Sequence, residues 1–220
     1  MKYSTKNITR ITGGLIVAGL LAAGQAGAAD TTTGNTASLS SKGASFVKEA
    51  SAGNQSEIAL AELAQQKAQN PEVKNLAQML QQDHQKAQEK LQTIAQAHGI
   101  TLDNSPTWSQ KRTQSKLEKL TGAEFDQQYT KDMLEDHVTD IKKFQKASQN
   151  IEDADVKQYA QDCLPTLQTH LQHAESAAKS AGVDQSTITS ITKNMPAAVG
   201  GTSDSSESSH GMGQQQHNQQ

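Results

Sequence analysis

Four ionisable side chains stand in apolar stripes of this sequence. A helix that faces a core repeats its apolar residues every three or four positions, and each of four segments carries one ionisable group within such a repeat: Glu57, His84, His137 and His170. The clearest repeat runs in steps of four through Phe125, Tyr129, Met133, His137 and Ile141. Burying such groups costs free energy unless they are paired or bound to a metal. The pattern therefore predicts that the four side chains meet.

A carboxylate and neutral imidazoles all offer lone pairs to a metal ion. The four groups are therefore predicted to bind a metal such as iron, manganese, zinc or copper. Asp83 and Asp136 each directly precede one of the histidines, but consecutive helix residues point about 100° apart, so neither is expected to be a ligand. The alternative is a layer of hydrogen bonds among the four groups that only sets the register of the helices.

Spacing along the helices tests whether the four groups are level. Glu57 and His84 lie about 12 or 13 residues from the first predicted turn, or roughly 18–20 Å at 1.5 Å per residue. His137 is roughly 18 Å from the second turn, whereas His170 is placed roughly 8–12 Å too far along a straight helix. Pro165 is expected to kink that helix, which would tilt His170 toward the others.

The elements that must position these groups are all helical. Ala, Gln, Lys, Glu and Leu dominate the body of the chain, aromatic residues make up 3% of the whole, and no alternating strand pattern occurs. Asn70 and Pro71 are typical of a helix start, whereas Gly99 and Gly182 are typical of helix ends. Thr121 and Glu124 have the spacing of a capping box.

These signals predict helices over about 41–69, 70–98, 106–120, 121–149 and 150–182. Short turns join the first two and the last two, and a longer connection carries the short third helix. The predicted fold is all-α, a ferritin-like four-helix bundle of two helix hairpins joined by a crossover with a short extra helix. Its core is expected to contain Phe46, Leu80, Met133, Phe144 and Leu167.

The two ends of the chain differ from the bundle predicted over 41–182. Residues 1–28 have the basic start, apolar run and small residues of a signal peptide, so we expect an exported protein that begins at Ala29 or Asp30; an uncleaved anchor is the alternative. Residues 29–40 are predicted to be a linker. Residues 183–220 are rich in Ser, Thr, Gly and Gln and are predicted to be a disordered tail.

Charge and hydropathy limit the partners. The net charge is −3 and no basic stripe is evident, so nucleic acid is not an expected partner. No second apolar segment is long enough to span a membrane, so none is expected in the mature protein, while envelope association and oligomeric state stay open. The single Cys163 is interpreted as a small buried hydrophobe.

The residues resemble a family of secreted bacterial proteins of unknown function with a ferritin-like fold, often labelled predicted outer membrane proteins. The resemblance is carried by Phe46–Ala50 with Glu57, Met79 with Asp83–His84, Phe125–Asp126 with Tyr129, Met133 and His137, and Leu164–Pro165 with His170. It implies a helical bundle in the periplasm or associated with the outer membrane. It does not imply a settled activity.

The chain departs from the di-iron pattern of ferritins. Those sites use paired Glu-x-x-His motifs, but Gln81 and Leu167 stand three residues before His84 and His170. A single metal ion, or none, is therefore expected rather than a ferroxidase centre, and the absence of other catalytic motifs argues against an enzyme. The predicted function is metal binding in an exported bundle; the alternative is a non-catalytic structural or interaction module of the cell envelope.

Overall fold

The computed structural model describes residues 38–103 and 105–193. This part of the chain forms six α-helices: α1 (Ser41–Lys67), α2 (Pro71–Ala97), α3 (Trp108–Glu118), α4 (Gly122–Asn150), α5 (Ala154–Ser180) and α6 (Gln185–Thr192). The all-helical prediction is confirmed. The predicted signal peptide, most of the predicted linker and residues 194–220 of the predicted tail lie outside the described residues.

Several predicted helix ends are confirmed by their hydrogen bonds and dihedral angles. Asn70 precedes α2, and its side-chain oxygen accepts a 2.8 Å hydrogen bond from the backbone N–H of Glu72. Gly99 follows α2 at φ +65°, and Gly182 follows α5 at φ +85°. Both angles are in the left-handed region that glycine adopts without a steric penalty.

The predicted capping box at Thr121 is wrong. Thr121 makes no side-chain capping bond, because the chain enters α4 through a left-handed Gly122 at φ +58° instead. A capping box is present at the start of α3, where Thr107 and Gln110 exchange hydrogen bonds. The Thr107 hydroxyl and the Gln110 side-chain oxygen accept hydrogen bonds from backbone N–H groups that have no partner within the first turn of the helix.

The four long helices form two hairpins, α1 with α2 and α4 with α5, which pack through α2 against α5 and α1 against α4. At one end of the bundle the buried carboxylate of Asp126 accepts hydrogen bonds from the backbone N–H groups of Gln69 and Asn70. At the opposite end Asp153 accepts one from the backbone N–H of Ser40. These contacts make neighbouring helices antiparallel, and α3 lies in the crossover. The topology is the ferritin-like one.

The predicted core is confirmed. The five apolar side chains expected inside are at most 7% exposed, and they belong to all four long helices: Phe46, Leu80, Met133, Phe144 and Leu167. None of the described helices combines the length and the hydropathy that crossing a membrane requires.

One segment of the predicted tail is helical. Residues 183–193 contain α6, which packs against α4 and α5. The physical reason is an apolar repeat that is short but sufficient: Ile188 is 1% exposed, and Val183 and Ile191 pack at the edge of the core. The expectation of a disordered tail is therefore corrected for these residues.

Candidate metal centre

His84, His137 and His170 meet at mid-height in the bundle. One ring nitrogen of each lies within 4.8 Å of one ring nitrogen of the other two, and the ring centroids are 5.3–5.9 Å apart. All three side chains are buried, at 1–5% exposure. Each comes from a different helix, α2, α4 or α5, so only the tertiary fold brings them together. We call these three residues the histidine cluster.

The large offset expected for His170 is wrong. His137 precedes the end of α4 by 13 residues and His170 follows the start of α5 by 16, which leaves an offset of about 4.5 Å. Side chains on a helix lean toward its N-terminus, so in two antiparallel helices these two lean toward each other. His137 Nε2 and His170 Nδ1 are consequently 3.2 Å apart. α5 continues through Pro165 as one helix.

The orientation of His84 is set by a polar network that sequence reasoning missed. His84 Nδ1 donates a 3.0 Å hydrogen bond to Asn54 Oδ1. The amide nitrogen of Asn54 donates to Gln88 Oε1 and to the Tyr159 hydroxyl, each at 3.3 Å. Gln88 in turn donates to Ser51 at 2.9 Å. The signal was present in the sequence, because Ser51 and Asn54 are three residues apart and Gln88 is four after His84.

The other two histidines are also held through the nitrogen that points away from the cluster. His137 Nδ1 donates to the backbone carbonyl of Met133 at 2.9 Å. His170 Nε2 donates to the carboxylate of Asp83 at 3.2 Å. Burial opposes ionisation of Asp83, but hydrogen bonds from Lys86 and His170 outweigh it and lower the pKa of this carboxyl. Asp83 therefore hydrogen-bonds to a member of the cluster without being one of its three residues.

All three imidazoles are neutral near pH 7. Burial lowers the pKa of His84 well below its usual value, and the neighbouring His137 and His170 lower it further. Burial also lowers the pKa of His137, against the hydrogen bond to Met133. For His170, burial and then His137 lower the pKa to about 4, against the hydrogen bond to Asp83. Neutral imidazole is the form that binds metals.

These hydrogen bonds leave three lone pairs that face one point. A neutral imidazole that donates from one nitrogen has a lone pair on the other, so His137 Nε2 and His170 Nδ1 present lone pairs to each other. His84 Nε2 is buried without a hydrogen-bond partner among the described residues. Two nitrogens bound to one zinc ion in tetrahedral geometry are about 3.3 Å apart, close to the 3.2 Å between His137 and His170.

Glu57 does not join the histidine cluster. Its Oε1 is 3.9 Å from His137 Nδ1, the nitrogen that already donates to Met133, and its Oε2 is buried without a hydrogen-bond partner among the described residues. Burial, and then the charge of Asp140, raise the pKa of Glu57 to about 8. The structure thus places this predicted ligand next to His137 Nδ1 and not among the clustered ring nitrogens.

Glu57 instead belongs to a group of carboxyls between α1, α3 and α4. It lines a cavity of about 310 Å³ with Asp136 and Asp140. The buried Tyr129 hydroxyl also has no hydrogen-bond partner in the described part of the chain, and burial raises its pKa. Asp136 is not one of the three residues of the histidine cluster.

A second cavity reaches the histidine cluster from the side. Its volume is about 180 Å³, and its lining includes His84, His170, Asp83, Tyr159 and Cys163. Cys163 is half-buried rather than a fully buried hydrophobe, which corrects the interpretation from the sequence. The cavity is therefore bordered by two of the three histidines of the cluster.

Comparison with known proteins identifies the family and nothing more specific. Residues 28–177 match the family described as Domain of unknown function (DUF4142). The match covers more than half of the chain, so the chain belongs to this family. No curated protein and no solved structure matches it.

Proposed function

We propose that this member of the DUF4142 family binds one divalent transition-metal ion through His84 Nε2, His137 Nε2 and His170 Nδ1. A single observation carries the proposal: the outward nitrogen of each imidazole donates to an oxygen, so that the three inward lone pairs face one another. Histidines that bind metals are held in this way by carbonyl, carboxylate or amide oxygens. Asn54, Met133 and Asp83 supply those oxygens here.

The ligand set favours some metals over others. Three neutral nitrogens with no carboxylate suit zinc, copper, nickel and cobalt better than manganese or magnesium, which prefer oxygen ligands. With Glu57 outside the cluster, a carboxylate-bridged pair of iron ions has no support among the described residues. Zinc and copper are therefore proposed ahead of iron and manganese.

The alternative is a structural role for the same residues. The Ser51–Gln88–Asn54–Tyr159 network links α1, α2 and α5 by hydrogen bonds, and a proton shared between His137 and His170 would extend it. Such a polar layer would fix the register of the helices without any metal. An exported location, in the periplasm or at the outer membrane, is proposed from residues 1–28 of the sequence for either function.

Metal-dependent unfolding separates the two functions. The full chain carrying His210→Ala and His217→Ala, so that its C-terminal histidines cannot bind metal, is stripped with a chelator and unfolded with or without zinc, copper, manganese or iron. At a free concentration about 100 times the dissociation constant, a bound ion stabilises the folded state by about 2.7 kcal/mol. We expect this gain with zinc or copper, together with one ion per chain by elemental analysis.

Single substitutions locate the ion. His137→Ala should abolish the response of Tm to metal while far-UV circular dichroism still shows a helical protein. His173→Ala is the matched control, since His173 is an exposed histidine on the same helix as His170, and its metal response should equal that of the parent. A folded parent protein whose Tm does not change with any of the four metals would exclude the metal site and favour the structural role.

A further inference from the structure

The outer surface of α3 combines the exposed tryptophan with a row of cations. Trp108 is 74% exposed and is the one large hydrophobic side chain that is exposed among the described residues. At 100° per residue, the cations around it are all exposed: Lys111, Arg112 and Lys116 on the helix and Lys119 at its C-cap. We call these five residues the basic face of α3. The expectation that the chain has no basic stripe is wrong for this helix.

The opposite side of α3 is fixed to the bundle. Leu117 is fully buried and lies about 180° around the helix from Trp108. Gln110 donates a 2.6 Å hydrogen bond to the backbone carbonyl of Ala52 in α1, and Lys67 donates to the backbone carbonyl of Glu118. These contacts direct the basic face outward. The basic face contributes little to the packing of the bundle, so the fold does not explain its composition.

Three of the four cations of this face form no salt bridge among the described residues, although Asp132 and Glu135 lie in the same surface groove as Lys116 and Lys119. Lys116 is 3.8 Å from Asp132, and the salt bridges of the described chain include no partner for Lys111 or Lys119. Glu118 is the one acidic residue between Trp108 and Lys119. Four cations within twelve residues are unusual for a chain whose net charge is −3. The Arg112 guanidinium lies over the Trp108 ring, 5.5 Å from its centroid, which brings indole and charge together.

An anionic lipid surface matches this combination. Indole rings partition to the boundary between headgroups and acyl chains, and lysine and arginine beside them are attracted to anionic headgroups. A sugar or a nucleobase would stack on the ring face, and Arg112 occupies one face. We propose that the basic face of α3 docks the protein on anionic membranes, with Trp108 inserted at the headgroup level.

The single tryptophan of the chain reports on its own docking. The full-length protein is titrated with vesicles of phosphatidylcholine alone or mixed equally with phosphatidylglycerol. We expect the emission of Trp108 to shift to the blue, and to be quenched by brominated lipid, with the anionic vesicles only. Roughly 0.5 M salt should reverse the shift, because it screens charges beyond about 4 Å.

Two triple variants test the role of position against that of net charge. Each cation near an anionic surface contributes about a fivefold increase in binding, so Arg112→Gln, Lys116→Gln and Lys119→Gln together should weaken vesicle binding roughly a hundredfold. The matched control removes three charges from exposed lysines of α1, α2 and α4: Lys48→Gln, Lys74→Gln and Lys142→Gln. Its binding should change by less than about fivefold.

Three results would overturn the proposal. In the first, the protein binds vesicles through its apolar N-terminal run, at residues 11–23, while the emission of Trp108 is unchanged. In the second, the control triple weakens binding as much as the α3 triple, which would indicate net charge alone. In the third, soluble polyglutamate shifts the emission as strongly as the vesicles do, which would indicate a general surface for acidic polymers.

Discussion

Each imidazole of the histidine cluster is oriented by a different kind of oxygen, namely the side-chain amide of Asn54, the backbone carbonyl of Met133 and the carboxylate of Asp83. The amide and the backbone carbonyl are neutral, so the carboxylate is the one charge that can compensate an ion at the cluster directly. The nearby Glu57 is mostly protonated near pH 7, because burial and then the charge of Asp140 raise its pKa to about 8. We therefore expect the proposed metal binding to depend more on the orientation of the three imidazole rings than on nearby charges.

Glu57 should make the stability of the protein depend on pH. Between its ordinary pKa of 4.5 and about 8, the folded protein retains a proton that the unfolded chain releases, so this contribution to stability is present below pH 4.5 and is lost as the pH rises toward 8. Glu57→Gln should match the parent near pH 5 and be more stable at pH 9, by on the order of 1–3 kcal/mol. Urea unfolding across this range measures the difference.

The histidines act in the opposite direction. Their lowered pKa values mean that the unfolded chain binds more protons from pH 6.5 down to about 4, so the parent loses stability as the pH falls through this interval.

Glu89→Gln, at an exposed position on α2, is the control for Glu57→Gln and should follow the parent at every pH. Parallel curves for Glu57→Gln and the parent would mean that Glu57 titrates normally.

At the scale of elements, the carboxylates of Asp126 and Asp153 connect the ends of helices that are distant in sequence. Asp126 on α4 is 3% exposed and accepts from the backbone N–H groups of Gln69 and Asn70 in the turn between α1 and α2. Asp153, before α5, does the same for Ser40 before α1. Hairpins that are distant in sequence are thus aligned at both ends, and this alignment sets the height at which the histidines meet.

Removing one of these carboxylates should destabilise the bundle. Asp126→Ala leaves two backbone donors without their acceptor, and hydrogen bonds to a charged group contribute about 1.5–3 kcal/mol, so a loss of this size is expected in urea unfolding. Asp126→Asn retains one acceptor oxygen and should cost less. Glu124→Ala, at an exposed position on the same helix, should be nearly neutral. An Asp126→Ala protein as stable as the parent would show that the turn does not depend on this carboxylate.

At the scale of the whole molecule, the folded body extends beyond the four-helix bundle. α6 covers part of α4 and α5 and buries Ile188, while α3 fills the crossover and presents its basic face. The proposed metal site therefore lies at the centre of the body, and the proposed docking face lies on its surface. Neither proposal depends on the other, because they use different residues on different helices.

Two truncations test where the folded body ends. Ending the chain after Val183 removes α6 and should lower Tm, since Ile188→Ala alone is expected to cost about 2–5 kcal/mol for a fully buried isoleucine. Ending it after Gly201 should leave Tm unchanged, as the polar composition of residues 202–220 predicts. Thermal unfolding by circular dichroism gives both values. A large drop for the second truncation would contradict the assignment of these residues to a tail.

The sequence by itself determined the helices, their pairing and the identity of the histidines. Those conclusions rest on local signals: apolar repeats, the Asn70–Pro71 start and the glycines at 99 and 182, whose geometry follows from a few neighbouring residues. A short amphipathic segment is harder to recognise in a sequence, and the α6 helix around Ile188 was not predicted. Its one well-buried apolar side chain gives little periodicity, and only the surface of α4 and α5 makes that burial favourable.

Only the tertiary structure decided which ionisable groups meet. Counting residues from the turns placed His170 too far along its helix, because α5 begins at Ala154 rather than at residue 150 and because the count ignored the opposite lean of side chains in antiparallel helices. The same spacing predicted Glu57 as a ligand, whereas in the structure Glu57 lies 3.9 Å from His137 Nδ1, the nitrogen that donates to Met133. The α1 residue that hydrogen-bonds to His84 is Asn54. Helix rotation and side-chain direction at the ångström scale are set by packing among all four helices, which no local pattern in the sequence encodes.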